Sequence, residues 1–185
     1  MLNELLADAG ERMQKSVEST RGELATVRTG RASPHLLDRV SVDYYGARTP
    51  LRQLANVSAS EARLLTVTPY DKTAIRSIEK AIMESDLGLT PSSDGNLIRL
   101  TIPELTEERR RELVKVVRAI AEEGRVAIRN IRRHVMHDLR ELKEMGEVGS
   151  DDEHRAEAEL QQLTDARVTE IDGLLAGKEQ EILEV

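Results

Sequence analysis

The stretch from Leu105 to Met145, LTEERRRELVKVVRAIAEEGRVAIRNIRRHVMHDLRELKEM, limits what this chain can become more than any other. It contains no proline and a single glycine, Gly124. Leu113, Val117, Ile120, Ala127, Ile131, Val135 and Leu142 recur at steps of three, four or seven. That period predicts one apolar face on a helix about 60 Å long, at 1.5 Å per residue. The same construction places Arg111, Arg118, Arg125, Arg129, Arg132 and Arg140 on the opposite face, within roughly 80° of each other. A solvated charged surface is the ordinary reading of such a run. Two observations favour a phosphate-binding face instead. The cations are arginines, whose planar fork matches phosphate. And residues 124–140 carry five arginines against one acid, Asp138, in a chain of net charge −7.

Two further helices flank this rod. In the first, predicted over 2–29, Leu6, Ala9, Met13, Val17, Thr20, Leu24 and Val27 form the packing seam. Gly30 reads as its left-handed cap and Pro34 as the stop beyond it. Near the other end of the chain, Gly146 and Gly149 break the rod, and Ser150-Asp151-Asp152-Glu153 reads as a capping box opening a third helix. That helix carries Leu160, Leu163, Val168, Ile171, Leu175 and Ile182 as its seam, and the short loop makes it antiparallel to the second. Residues 146–185 hold twelve acids and three Lys/Arg, a net of −9, so the expectation is one basic side of the rod and one that repels phosphate.

Between the first two helices the pattern changes to strands. Val40 to Tyr45 alternates, Gly46-Ala47 reads as a two-residue hairpin turn, and Leu64 to Thr68 is a second strand. Asp71 is placed to cap a helix through Ser85 that buries Ile75, Ile78 and Ile82, with Gly88 beyond its end. A turn over Ser92–Asn96 leads to a last strand, Leu97 to Ile102, which Pro103 closes. The predicted domains are therefore 1–30 with 105–185, a three-helix bundle, and 31–104, an inserted α+β unit.

Composition narrows the chemistry. Lys+Arg is 27 against 34 Asp+Glu, so any nucleic-acid site is local. With no cysteine, disulfides, thiolate metal sites and cysteine nucleophiles are excluded. The absence of a signal peptide pattern and of a membrane-length apolar run points to the cytoplasm. Phe and Trp are absent and the three tyrosines fall at 44, 45 and 70, so the long helices have no platform for stacking bases. Neither GxxxxGK[ST] nor GxGxxG occurs. His134 and His137, spaced i, i+3 near Asp138, could in principle hold a metal, but the HExxH of a catalytic zinc site is not there, and they read as solvated helix flank. The expectation is no catalytic residue, no metal and no cofactor.

The motifs together resemble the ribosome recycling factor family. Val27-Arg28-Thr29-Gly30-Arg31-Ala32-Ser33-Pro34 is similar to its junction motif, and Tyr44-Tyr45-Gly46 with Thr49-Pro50-Leu51 to its hairpin. Glu79 to Ile82 and Ser85 to Leu89 resemble its inserted helix and exit. Leu105 to Arg110 and Arg125 to Arg133 resemble its second helix, and Leu163-Thr164-Asp165 and Lys178-Glu179 its third. His134 departs from the pattern, since the family usually has an acid there.

The resemblance implies an α+β protein, L-shaped overall: an elongated antiparallel three-helix bundle with a small inserted domain. It implies a monomeric, non-enzymatic factor that binds the post-termination ribosome between the subunits. With elongation factor G, and GTP hydrolysis by that partner, it splits them and frees mRNA and tRNA. By motif position the rRNA-binding residues are Arg110, Arg129 and Arg132, with Arg28 and Arg31 near the junction; Arg125 and Arg133 join them from the basic stretch. The hinge falls at Gly30, Arg31, Pro103 and Glu104. A coiled-coil scaffold does not account for the arginines or the insert. A general nucleic-acid binder does not account for the net charge.

Overall fold

The computed structural model describes residues 1–184. In chain order it contains α1 (Leu2–Thr26), β1 (Ser41–Tyr44), β2 (Ala47–Pro50), α2 (Leu51–Leu54), β3 (Ala55–Glu61), β4 (Leu64–Pro69), α3 (Ile75–Met83), β5 (Pro91–Ser93), β6 (Ile98–Thr101), α4 (Glu107–Glu144) and α5 (Ser150–Leu183). The chain divides into two compact units. One comprises Met1–Arg28 with Glu107–Glu184, the other Thr29–Thr106. With the three long helices in one and all six described strands in the other, the fold class is α+β.

In the first unit α1, α4 and α5 pack on one another around Ala9, Met13, Val17, Ala121, Ile128, Val135, Leu139, Leu160 and Ile171, all fully buried. Each large aliphatic group buried this way contributes about 1.5–3 kcal/mol relative to exposure. The seam of α1 is the expected one through Leu24, with Val27 only half-buried. The helix itself stops at Thr26, three residues short of the expectation. Val27 is extended (φ −78°, ψ 116°), and the Thr26 hydroxyl donates to the Glu23 carbonyl at 2.7 Å. Val27 and Thr29 are β-branched and hold the helix poorly. Gly30 is left-handed at φ +75°, but beyond the helix rather than as its cap.

The buried stripe of α4 is Leu113, Val117, Ala121, Gly124, Ile128, Ile131, Val135 and Leu139. Ile120, Ala127 and Leu142 are only half-buried. At 100° per residue the stripe is rotated about 40° from the expected one, toward the arginines. The cause is the small pair Ala121 and Gly124, which lets neighbouring helices approach where a hydrophobicity pattern shows little. In α5, Leu163, Val168 and Leu175 are half-buried, while Thr164 is buried with its hydroxyl donating to the Leu160 carbonyl at 2.8 Å. The capping box does not form. Gly149 occupies the N-cap without a side-chain bond, Ser150 lies inside the helix, and Glu153 is buried against Lys143 Nζ at 2.7 Å. With its carboxylate held by the Lys143 ammonium, Glu153 does not reach back to the Ser150 N–H as a capping box requires.

The second unit is a four-stranded antiparallel sheet, β3-β4-β6-β5, with α3 and a separate β1–β2 hairpin beside it. Leu37, Val42, Leu51, Leu65, Val67, Ile78, Ile82, Ile98 and Leu100 form its core. Ile75, Ile78 and Ile82 are the buried face of α3, as its spacing predicts. Asp71 caps a short 3-10 turn that precedes α3 rather than α3 itself. Its carboxylate accepts from the Thr73 N–H at 3.0 Å and hydroxyl at 2.7 Å and from the Tyr44 hydroxyl at 2.8 Å. These bonds, Thr73's first, hold the Asp71 carboxyl below its ordinary value. The bond to Asp71 is also the main cause raising the Tyr44 phenol above its own.

The hairpin turn is one residue earlier than expected. Tyr44 pairs with Ala47, so Tyr45 (φ +49°) and Gly46 (φ +79°) make the turn. Positive φ at both positions suits the right-handed twist of a two-residue hairpin. Two strands have no counterpart in the sequence reading. β3 is exposed along most of its length and β5 begins with Pro91. Both are edge strands, where apolar alternation fades and proline is tolerated.

Candidate nucleic-acid interface

The long helix α4 fixes its side chains along one rigid axis, so the question is which arginines remain available. Three of them are not on the face opposite the seam. Arg118, Arg125 and Arg132 lie on the flank toward α5, because the seam itself is rotated that way. Arg118 Nε donates to Glu179 Oε1 at 2.7 Å. Arg125 Nε donates to Asp172 Oδ1 at 2.8 Å and its Nη1 to Glu122 Oε2 at 3.0 Å. Arg132 Nη1 donates to Gln161 Oε1 at 3.0 Å, and the Gln161 amide passes the contact to Asp165 at 2.8 Å. The expected separation into a basic and an acidic side therefore does not occur along this flank. The acids of α5 reach across and engage the arginines of α4.

Arg125 is the most committed, with a side chain only 18 % exposed. Burial disfavours its charge, but the hydrogen bonds and charges of Asp172 and Glu122 outweigh that and hold the guanidinium above its ordinary value. Arg129 shares Glu122 at a longer 3.4 Å and is 44 % exposed. Arg111 pairs with Glu107 within its own turn. Arg133 and Arg140 are exposed, and neither has a carboxylate partner among the described residues. With Arg132, Met136 and His137 they line an open cleft of about 380 Å³ on the second half of the helix. Arg132 Nε is buried there without a hydrogen-bond partner.

Arg110 stands apart. It is half-buried, close to the direction of the seam, and its Nε is also buried without a partner. No basic-face argument finds it, since its phase is apolar; only the motif does. Arg28 and Arg31 are exposed in the connecting segment. The histidine reading changes in detail. His137 groups with Asp138 and Glu141, one atom of each lying within 4.8 Å of the others, and His134 is not part of the group. All three are exposed, and His137 Nδ1 lies 3.8 Å from Glu141. No described helix is long and apolar enough to cross a membrane.

The second half of α4 therefore presents unpartnered guanidinium groups next to others clamped to a neighbouring helix. The planar fork of a guanidinium suits a phosphate. The comparisons with known proteins agree with the motifs. A profile of the family described as "Ribosome recycling factor" matches residues 20–183. The ribosome-recycling factor of Rubrobacter xylanophilus is 57% identical over 180 residues, covering 97% of each chain. That of Bacillus subtilis is 54% identical over 185 residues, covering 100% of both. A solution structure of the ribosome recycling factor is similar over 100% of this chain and 98% of its own, at 42% identity and a TM-score of 0.70. The T. thermophilus ribosome recycling factor, in models with E. coli elongation factor G bound to the E. coli post-termination complex, is 50% identical, with 99% of each chain covered and a TM-score of 0.63. With the profile spanning most of the chain and relatives alike from end to end, this chain belongs to the ribosome recycling factor family.

Proposed function

We propose that this chain recycles ribosomes after termination. It binds the post-termination ribosome at the intersubunit face and, together with elongation factor G, separates the subunits so that mRNA and tRNA leave. The observation that carries this is end-to-end likeness to recycling factors, one of them placed with elongation factor G on a post-termination complex. The chain acts as a monomeric cytoplasmic binding factor and not as an enzyme; GTP hydrolysis by its partner supplies the energy.

Large-subunit rRNA is held through phosphates by Arg129, Arg132 and Arg133, with Arg110, Arg28 and Arg31 extending the contact. Arg140 adds to the same surface. Arg125 belongs to the basic stretch, but its pair with Asp172 of α5 makes it chiefly a brace that keeps α4 on α5, with Glu122 of its own helix holding the guanidinium in place. The bundle, 1–30 with 105–185, is the part that grips, and the insert, 31–104, swings on Gly30 and Arg31 and on the return strand near Pro103 and Glu104. Light scattering on post-termination ribosomes, mixed with the protein, elongation factor G and GTP, tests the reading. Subunit release that needs all three components is expected. Release at the same rate without this protein would overturn it.

A further inference from the structure

Both connections of the insert are fastened to one place. On the way in, the Ala32 N–H donates to the Ala62 carbonyl at 2.7 Å. On the way out, the Ile102 N–H donates to the Arg63 carbonyl at 2.8 Å. The Arg63 guanidinium then reaches two residues further and pairs with Glu104 at 2.6 Å. Ala62 and Arg63 are the turn between β3 and β4, so the central sheet stands behind all three contacts. The Arg63 and Glu104 side chains are 39 % and 61 % exposed, and an ion pair that open contributes little to stability. Its role is positional, because it extends two backbone bonds that already hold Ala32 and Ile102.

Beyond the turn the chain changes character. Arg28, Thr29, Gly30 and Arg31 take part in no hydrogen bond among the described residues. Gly30 is left-handed, and a methyl group placed on it would lie 3.0 Å from Leu105 Cγ, so the two connections run side by side at that level. A few residues at element ends, free of cross-links, are where backbone rotation is absorbed.

We infer that the β3–β4 turn is a clasp that sets where the insert pivots, with Arg63 as the positioning residue. Ile102, Pro103 and Glu104 move with the insert, and on the incoming connection rotation is confined to residues 28–31. The inference rests on the proposed swing of the insert and refines it, by assigning Pro103 and Glu104 to the moving body. A short pivot transmits a push on the insert as rotation. If Arg63 released Glu104, the outgoing connection would gain slack, and part of the push would bend it instead.

The test uses the full chain, with Arg63→Ala, Glu104→Ala and the exchanged pair Arg63→Glu/Glu104→Arg. Backbone order parameters are read by NMR relaxation, ribosome binding by pelleting, and splitting by light scattering with elongation factor G and GTP. In either single variant the Glu104 amide is expected to fall from about 0.85 to below about 0.6, and to recover in the exchanged pair. Binding stays at the wild-type level in all three. Splitting slows several-fold in the single variants and returns in the exchanged pair. The clasp is overturned if Glu104 stays rigid in Arg63→Ala, if the exchanged pair fails to restore order, or if splitting keeps its wild-type rate once Glu104 is mobile. Should a single variant unfold the insert, the exchanged pair decides alone. Wild-type protein that does not split ribosomes would instead overturn the proposed function, while the order parameters would still decide the clasp.

Discussion

Gly124 of α4 lies directly against Thr20 of α1: a methyl group on Gly124 would stand 2.3 Å from Thr20 Oγ1, and 2.9 Å from Ile171 Cδ1 of α5. All three helices of the bundle meet at this glycine. Thr20 has little freedom to withdraw, since its hydroxyl donates to the Ser16 carbonyl at 2.9 Å.

Gly124→Ala is therefore expected to destabilise the bundle although alanine is the better helix former. The propensity gain is about 1 kcal/mol, and the overpacking cost about 1–3 kcal/mol. Gly173→Ala and Gly177→Ala, with nothing within 4 Å of the added methyl, should stabilise by up to about 1 kcal/mol each. Thermal melts followed by circular dichroism separate the two signs. A rise in Tm for Gly124→Ala would contradict the close approach.

The Arg125–Asp172 pair should couple more strongly than Arg118–Glu179. The Arg125 side chain is 18 % exposed and that of Arg118 65 %. Double-mutant cycles in urea should give about 0.5–1 kcal/mol for the first and near zero for the second, after allowing for solvent screening. Equal couplings would mean that burial of Arg125 does not strengthen its pair.

Ribosome binding should sort the arginines by their partners. Arg129→Ala, Arg132→Ala and Arg133→Ala are each expected to lower the slope of log K against log salt by roughly one. Arg118→Ala, already neutralised by Glu179, should leave the slope where it is. Pelleting across a salt series reads both, and a slope lowered as much by Arg118→Ala as by Arg133→Ala would remove the distinction.

Acid should loosen the insert through Asp71. Its folded pKa lies below the ordinary carboxylate value, so its contribution is present above the unfolded pKa and lost as pH falls through the folded one. Tyr44 has the opposite sign: raised above 10.0, it contributes below that pH and fails as pH rises through its folded value. Melts between pH 2 and pH 5 should show a shallower acid loss in Asp71→Asn than in the wild type. Parallel acid profiles for the two proteins would exclude the carboxylate as the cause.

Legibility in the sequence followed how much of each element is buried. The seam of α1 reads residue by residue, because its apolar positions are large and face one partner layer. The seam of α4 reads with the wrong phase, because Ala121 and Gly124 carry the contact by being small. The edge strands β3 and β5 have no apolar alternation to read. For the proposed interface, Arg129 and Arg132 follow from the basic face, while Arg110 lies near the seam direction and is visible only through the motif. The arginine–acid pairing is written in the sequence as two matched series: Arg118, Arg125 and Arg132 repeat every seven residues, as do Asp165, Asp172 and Glu179. Pairing two such series in an antiparallel hairpin needs only their order.

That pairing ties the dimensions of the bundle together. The two direct contacts join positions whose numbers add to the same total, 118 with 179 and 125 with 172, and Arg132 reaches Asp165, the position of that same total, through the Gln161 amide. A residue gained or lost inside one helix turns everything beyond it by about 100° and parts the series. A change survives only when α4 and α5 gain or lose matching heptads, about 10 Å at a time at 1.5 Å per residue. The reach of the protein is thus a stepped quantity, and length variants of this chain should fall into steps of seven rather than a continuum.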